Sequence, residues 1–250
     1  MYANLKLGKA PPRHDKRTLK LSNYIDRAKL PTAPDSRDWT TQVSGYGVMR
    51  NDSLGDCAIA GPGHMIQTWT AANGAESIPS DDAIVKAYAE VSGYDPRDGS
   101  NDNGCVMLDV LNYWRNTGIG GHKILGYALI EPHDVELVKI AINLFGGTDD
   151  GFALPITAQD QSVWDVVGDG VSGDSARYSW GGHCVPKPKY DALHPVCVTW
   201  GQRLPMTWEF FTAYCDECYA VLSTDWVNGS KTAPNGFDLD ALTADLAAIH

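Results

Sequence analysis

Apolar residues recur at helical spacing in several segments of the first 150 residues. The clearest segment follows Ser80, a favoured helix-capping residue, and places Ile84, Ala87, Tyr88 and Val91 on one face. The same spacing extends over three further segments. The pattern predicts core helices over residues 57–72, 80–91, 105–116 and 134–145.

The pattern changes after residue 150. Short apolar runs now alternate with loops rich in Gly, Asp and Pro, which is typical of strands. These runs are FALPI, HCV, HPVCVTW and CYAVL. A helix-rich half followed by a strand-rich half predicts an α+β fold, with a helical lobe (about 55–150), an antiparallel β lobe (about 151–226) and a cleft between them. A final helix is predicted over 238–249.

Residues 1–35 differ from both halves, because they are rich in Pro, Lys and Arg and show no periodicity. We predict an extended arm. It carries eight Lys and Arg against three Asp, a net charge of about +5, whereas the rest of the chain carries about −16. Since an acidic body repels nucleic acid, no nucleic-acid partner is expected. The arm is expected to lie on this body or to dock on a protein assembly partner.

The composition is that of an ordinary globular protein of 250 residues, 43% hydrophobic and 20% charged. No apolar run approaches the roughly 20 residues of a membrane helix, and no apolar segment follows the basic N-terminal residues. Neither a membrane partner nor a secretory signal is predicted. The six cysteines are therefore expected to be free thiols, and the lone CxxC of Cys215 and Cys218 is expected to pack rather than bind metal.

Cys57 is the cysteine best placed for chemistry. A nucleophilic cysteine must be a thiolate, which the N-terminus of a helix and a nearby imidazolium both favour. Cys57 opens a predicted helix, although Gly61-Pro62-Gly63 favour a bend or a delayed start. His183 follows two flexible glycines and could supply the imidazolium. With six Cys and seven His in the chain, spacing alone does not pair them, and a buried structural cysteine is the alternative.

The residues around Cys57 add to this argument. The segment DSRDWTTQVSGYGVMRNDSLGDCAIAG resembles the start of the mature catalytic domain of papain-like cysteine peptidases. Asp38-Trp39 match the family's Asp-Trp pair, and Cys57 matches its nucleophile. Asn51 falls on the amide position, six residues before the nucleophile, where the family usually has Gln. The resemblance implies that Asn51 and the Cys57 N–H stabilise the oxyanion.

Three later segments extend the resemblance over about residues 36–226, and we assign 36–250 to one papain-like domain. NDNG implies that Gly104 lines the cleft, and SWGGHCV implies that His183 is the catalytic histidine. HPVCVTWGQRLPMTWEFF implies that Trp200 shields that histidine and that Trp208 is the family's second tryptophan. Such sites need no metal or organic cofactor.

The last segment also departs from the family, because Val198 stands where an asparagine orients the histidine. Valine cannot accept a hydrogen bond. Three outcomes stay open: a shift of one residue lets Thr199 orient His183, Asp191 reaches in, or the site is degenerate. In the separate segment DPRDGSNDNG, Asp98, Ser100 and Asp102 alternate as in a calcium loop, but the required Gly is missing, so we interpret them as a solvated turn.

Two functions follow. The first is a papain-like cysteine peptidase or amide hydrolase with a Cys57–His183 dyad, which would act on peptides or proteins. The second is a catalytically degenerate papain-fold structural or interaction protein, for example a decoration or tail component of a bacteriophage virion. Accordingly, the expected location is cytoplasmic or virion-associated. The arm would serve docking in the second case, or cover the cleft like a propeptide in the first.

Overall fold

The computed structural model describes residues 2–26, 28, 32–226 and 244. Its helices are α1 (Cys57–Ala72), α2 (Asp81–Ser92), α3 (Met107–Asn116), α4 (Val135–Phe145) and α5 (Trp208–Tyr214). The first four match the four segments predicted from apolar spacing. The helix predicted over 238–249 lies outside the described residues, apart from Ala244.

Helix α1 begins at Cys57 with no delay, although Pro62 lies inside it. All of its residues except Ala72 are buried. Its glycines permit close packing, since a Cβ on Gly63 would lie 2.6 Å from the sulfur of Met49. Burial on every side therefore holds a helix that its local sequence disfavours.

The ends of α2 and α4 follow from local hydrogen bonding. Ser80 Oγ accepts from the N–H of Ala83 at 3.3 Å, and Asp134 Oδ1 accepts from the N–H of Leu137 at 3.1 Å. Both helices end at a glycine in the left-handed conformation. The side chains of Ser80 and Asp134 satisfy N–H groups that have no partner inside the helix, and the glycines end each helix without strain.

In the described part of the chain, the strands form two four-stranded antiparallel sheets. They are β1 (Arg37–Asp38), β2 (Ile124–Ile130), β3 (Thr148–Leu154), β4 (Gly181–Lys187), β5 (Lys189–Tyr190), β6 (Pro195–Thr199), β7 (Gln202–Pro205) and β8 (Cys215–Ser223). One sheet has the order β1-β5-β6-β7 and the other β2-β8-β3-β4. The predicted α+β class is confirmed, but β2 lies wholly within the stretch that was expected to be the helical lobe, and β3 begins within it. Their pairing with β8 is long-range and has no local signal.

Two apolar cores meet where α1 packs against β4. One core surrounds α1, α2 and α3, with the rings of Trp69 and Trp114 stacked at 5.7 Å. The other lies between the sheets and α4 and α5, around Phe152 and Phe210. This seam brings the first residue of α1 beside the strand that carries His183.

The N-terminal arm lies on the body of its own chain, one of the two predicted placements. Lys20 pairs with Glu131 at 2.9 Å, and the Leu19 carbonyl accepts from the N–H of Leu129 at 2.7 Å. Leu21 is fully buried in the second core. The arm is thus an integral layer of the fold, held by backbone pairing, ion pairs and apolar contacts.

Candidate active site

Cys57, the predicted nucleophile, is the first residue of α1 and is buried. The positive end of a helix stabilises a thiolate at this position. The backbone N–H of Cys184 donates to the Cys57 sulfur at 3.4 Å. Since Cys184 follows His183 directly on β4, the two predicted catalytic residues are neighbours across the seam between α1 and β4.

The ring of His183 is held by a hydroxyl group on β6. His183 Nε2 lies 2.7 Å from Thr199 Oγ1, and His183 Nδ1 has no hydrogen-bond partner within the described part of the chain. Thr199 and Asp191 are the two residues considered as partners of His183, because Val198 cannot accept a hydrogen bond. Thr199 is the one that contacts the ring. Val198 is buried and precedes Thr199 on β6.

Asp191, the other alternative, is used elsewhere. Its carboxylate accepts from the N–H groups of Leu193 and His194, at 2.8 and 2.7 Å, in the turn between β5 and β6. The hydrogen bonds of the described residues do not join it to His183. The hydroxyl contact with His183 therefore comes from Thr199.

Trp200 is the residue that the resemblance expects to shield the histidine. Its ring stacks on the ring of His183, with centroids 4.5 Å apart and planes 15° apart. Trp200 and Gly201 form the two-residue loop between β6 and β7, and both have positive φ, 46° and 77°. Such a turn matches the twist of a hairpin and places Trp200 at its tip. Tyr2 of the arm stacks on Trp200 in turn, at 5.3 Å.

Trp208 lies apart from the ring of His183. It packs edge-on against Tyr190 and Phe211, and the ammonium of Lys139 lies 5.1 Å from its ring centre. In the described residues its contacts serve the packing of α5.

Asn51 is buried and hydrogen-bonded within its own turn. Its Nδ2 donates to the carbonyl of Leu54 at 3.1 Å. The amide therefore supports the loop that leads to Cys57, and its role toward an oxyanion stays a prediction.

The arm runs through the groove at Cys57. The backbone N–H of Gly8 approaches the Cys57 sulfur. The carbonyl of Gly8 accepts from the N–H of Cys105 at 2.8 Å, and the N–H of Ala10 donates back to Cys105 at the same distance. On the opposite wall, the N–H of Lys9 donates to the carbonyl of Gly182 at 3.0 Å. An extended peptide segment of this chain therefore occupies the groove.

Glycines make the groove narrow enough for this contact. A Cβ on Gly104 would lie 2.0 Å from the Gly8 carbonyl oxygen, and one on Gly182 would lie 2.1 Å from that of Lys9. A Cβ on Gly8 itself would lie 1.7 Å from the carbonyl oxygen of Gly55. Backbone packs directly on backbone here. The close backbone approach predicted at Gly104 corresponds to its contact with Gly8 of the arm.

A hydrogen-bond network that the sequence did not indicate holds these walls. Asp102 Oδ1 accepts from the N–H of Gly55 at 2.8 Å and from the hydroxyl of Tyr88 at 2.6 Å. The same hydroxyl accepts from the N–H of Gly104 at 3.0 Å. The interpretation of this loop as a solvated turn suits exposed Asp98 but is wrong for Asp102, whose carboxylate ties the two glycine walls together.

Burial keeps both predicted catalytic groups neutral beneath the arm. It raises the pKa of the Cys57 thiol to about 12, although the N–H groups of Cys184 and Gly8 act in the opposite direction. It lowers the pKa of His183 to about 3. With the arm in place, a thiolate–imidazolium pair is therefore disfavoured.

The fold is shared with cysteine proteases of known structure. Xylellain, a cysteine protease from Xylella fastidiosa, matches with a TM-score of 0.66 and 15% identity over 90% of this chain and 98% of that one. Digestive procathepsin L 3 of Tenebrio molitor matches at 0.61 and 13% identity over 88% and 77%. A cysteine protease of Carica candamarcensis matches at 0.53 and 14% identity over 76% and 99%. The chain therefore has the papain-like cysteine protease fold.

Neither a protein-family model nor a curated protein matches the sequence. The described residues contain no group of three His, Cys, Asp or Glu side chains that could hold a metal ion. All six cysteines are free and buried. In the part of the chain that is described, no helix is long and apolar enough to cross a membrane.

Proposed function

We propose that the chain is a cysteine peptidase of papain-like fold whose own N-terminal arm keeps it latent. One observation carries the proposal: the groove beside Cys57 and His183 binds an extended peptide segment by backbone hydrogen bonds on both walls. A groove of this kind recognises a peptide main chain whatever its side chains. Its position over a buried thiol and an oriented imidazole suits peptide-bond cleavage.

The reaction would proceed in two stages. The Cys57 sulfur attacks the carbonyl carbon of the scissile amide while His183 takes the thiol proton and then gives it to the leaving nitrogen. The S–C bond forms and the C–N bond breaks, which leaves a thioester that water hydrolyses with the same histidine as base. Thr199 orients the ring, and the Cys57 N–H would donate to the oxyanion.

The arm is bound in a way that protects it from this reaction. The N–H of Gly8, rather than a carbonyl group, acts on the thiol as its hydrogen-bond partner. The carbonyl of Gly8 is engaged by Cys105, and the arm runs parallel to that segment through the Lys9–Cys105 bridge. A substrate would have to present a carbonyl carbon to the thiol instead.

Release of the arm would also change the charge state of the site. Water would reach Cys57 and His183, and the burial that raises the one pKa and lowers the other would weaken. The helix terminus would then favour the thiolate. Latency would therefore result from steric cover and from desolvation together.

The test is hydrolysis of casein by the full chain carrying Gly8→Ala, a change designed to displace the arm. We expect cleavage that Cys57→Ala or His183→Ala abolishes in the same background. Cys218→Ala removes another buried thiol, outside the groove, and should leave cleavage intact. Cleavage that persists without Cys57, or no cleavage by a folded Gly8→Ala chain whose arm is released, would refute the proposal.

The alternative is a structural protein that retains the fold without catalysis, and the neutral buried pair favours it. Alkylation of Cys57 by iodoacetamide against pH separates the two. In the Gly8→Ala chain, a peptidase should show a reactive thiolate well below pH 8.5 that His183→Ala removes. A rate that follows an ordinary thiol in both chains would support the structural role.

A further inference from the structure

Lys9 of the arm fills a buried acidic pocket beside the groove. Its ammonium lies 2.9 Å from Asp216 Oδ1 and 3.2 Å from Glu217 Oε1, and the side chain is fully buried. The ring of Tyr178 forms another wall, with its centre 5.7 Å from the ammonium. Lys9 directly follows Gly8, the residue over the Cys57 sulfur. The pocket therefore adjoins the predicted site of chemistry.

A break in strand β8 builds the pocket. In a regular strand, consecutive side chains point to opposite faces. Here β3 pairs Gly151 with Glu217 but Phe152 with Cys215, so Asp216 is an extra residue that bulges from the ladder. Both carboxylates can then approach one ammonium.

A glycine gives the lysine its space. A Cβ on Gly151 would lie 2.2 Å from the Cε of Lys9 and 2.7 Å from the Cγ of Glu217. Any side chain here would close the pocket to a long side chain. The absence of a side chain at Gly151 thus leaves the space that the lysine stem occupies.

The charges in the pocket require a cation. Two carboxylates surround one ammonium, and their remaining hydrogen bonds come from phenol groups: Tyr219 donates to Glu217 at 3.0 Å, and Tyr178 donates to Asp216. Burial by itself would lower the pKa of Lys9, but the fields of Glu217 and Asp216 outweigh it and raise the pKa. If the arm left, both carboxylates would lose the ammonium that pairs with them and would keep their phenol partners.

We propose that this pocket selects a lysine or arginine side chain of the substrate, next to the residue that occupies the position over Cys57. Lys9 is the occupant supplied by the arm. The proposal rests on the peptidase function proposed above and gives its substrate class: peptides with a basic residue close to the bond that is cut. A cavity of about 260 Å³ lies beside the same carboxylates, lined largely by residues 12–20 of the arm and in part by Asp216, Glu217 and Tyr219.

The experiment uses the full chain with Lys9→Ala, which empties the pocket. Two chloromethyl ketones are compared, lysyl-glycyl and norleucyl-glycyl, each with the reactive group on the glycine. The thiolate displaces chloride as the S–C bond forms, and mass spectrometry measures the modified Cys57. The probes differ only in the charged amine. Because both must wait for the same arm movement, the ratio of their rates reports the pocket alone.

We expect the lysyl probe to react about 10- to 100-fold faster, as hydrogen bonds between charged groups suggest. Adding Glu217→Gln should reduce the ratio sharply, whereas adding Glu209→Gln, an exposed acid on α5, should preserve it. Equal rates for the two probes in the Lys9→Ala chain would overturn the pocket proposal and leave the peptidase proposal standing. If neither probe modifies Cys57 in a folded chain whose arm is released, the peptidase proposal fails and the substrate class with it.

Discussion

Alanine at Gly8 should open the cleft without touching any group proposed for catalysis. The added Cβ would lie 1.7 Å from the carbonyl oxygen of Gly55 and 2.2 Å from its carbonyl carbon. These are backbone atoms, so no side-chain rotation relieves the overlap. The N–H of Gly55 also donates to Asp102 Oδ1 at 2.8 Å, and this hydrogen bond holds that wall of the groove in place. The arm must therefore move.

The size of the effect follows from the cost of overpacking, about 1–3 kcal/mol per added group in a packed site. Such a cost shifts the ratio of docked to released arm by about 5- to 150-fold. Since the docked arm covers the Cys57 sulfur, alkylation proceeds through the released state. The rate should rise by the same factor as long as the released fraction is small.

The assay is the second-order rate of Cys57 alkylation by iodoacetamide at pH 8, with peptide mapping of the modified residue. Gly45→Ala is the matched control, because a Cβ on Gly45 meets nothing within 4 Å. Cys197, fully buried in the second core, reports unfolding, since it should stay unmodified when the arm alone opens. A Gly8→Ala rate equal to those of wild type and Gly45→Ala would refute the gating role of the arm.

Three further predictions concern single side chains. Thr199→Val should slow Cys57 alkylation in the Gly8→Ala chain about 2- to 10-fold, because His183 loses its hydrogen bond. Burial raises the pKa of Asp149 to about 7, so the folded chain holds this proton more tightly than the unfolded chain does. The stability that this proton contributes is present below about pH 4 and is lost as the pH rises through 7. The Tm should therefore fall over this range, and Asp149→Asn should flatten the fall. Ser80→Ala should lower the free energy of unfolding by about 1 kcal/mol in urea titrations, because α2 loses its cap.

Two of these have a conservative control. Thr199→Ser keeps the hydroxyl and should retain the rate, and equal slowing by both variants would contradict the orienting role. Ser80→Asn keeps a capping oxygen and should retain stability. An unchanged slope of Tm against pH in Asp149→Asn would show that this carboxyl does not titrate near neutrality in the folded chain.

The orienting contact shows how far the sequence could lead. The resemblance placed Val198 at the expected position and left Thr199, Asp191 and a degenerate site as alternatives. Only the hairpin decides among them, because its two-residue loop at Trp200-Gly201 sets which β6 side chain faces His183. A shift of one residue turns every side chain of a strand to the other face, so this choice depends on pairing rather than on local sequence.

The sequence by itself determined the first four helices and the Ser80 cap of α2, because these follow from spacing and hydrogen bonds within a few residues. It also indicated Cys57, His183 and Trp200. Only the tertiary structure decided that the arm enters the groove and that Lys9 meets Asp216 and Glu217. These partners lie more than 200 residues apart, and their contact depends on backbone clearance at glycines and on a bulge in β8. No local pattern encodes such a fit, because it is a property of two surfaces that exist only once the chain has folded.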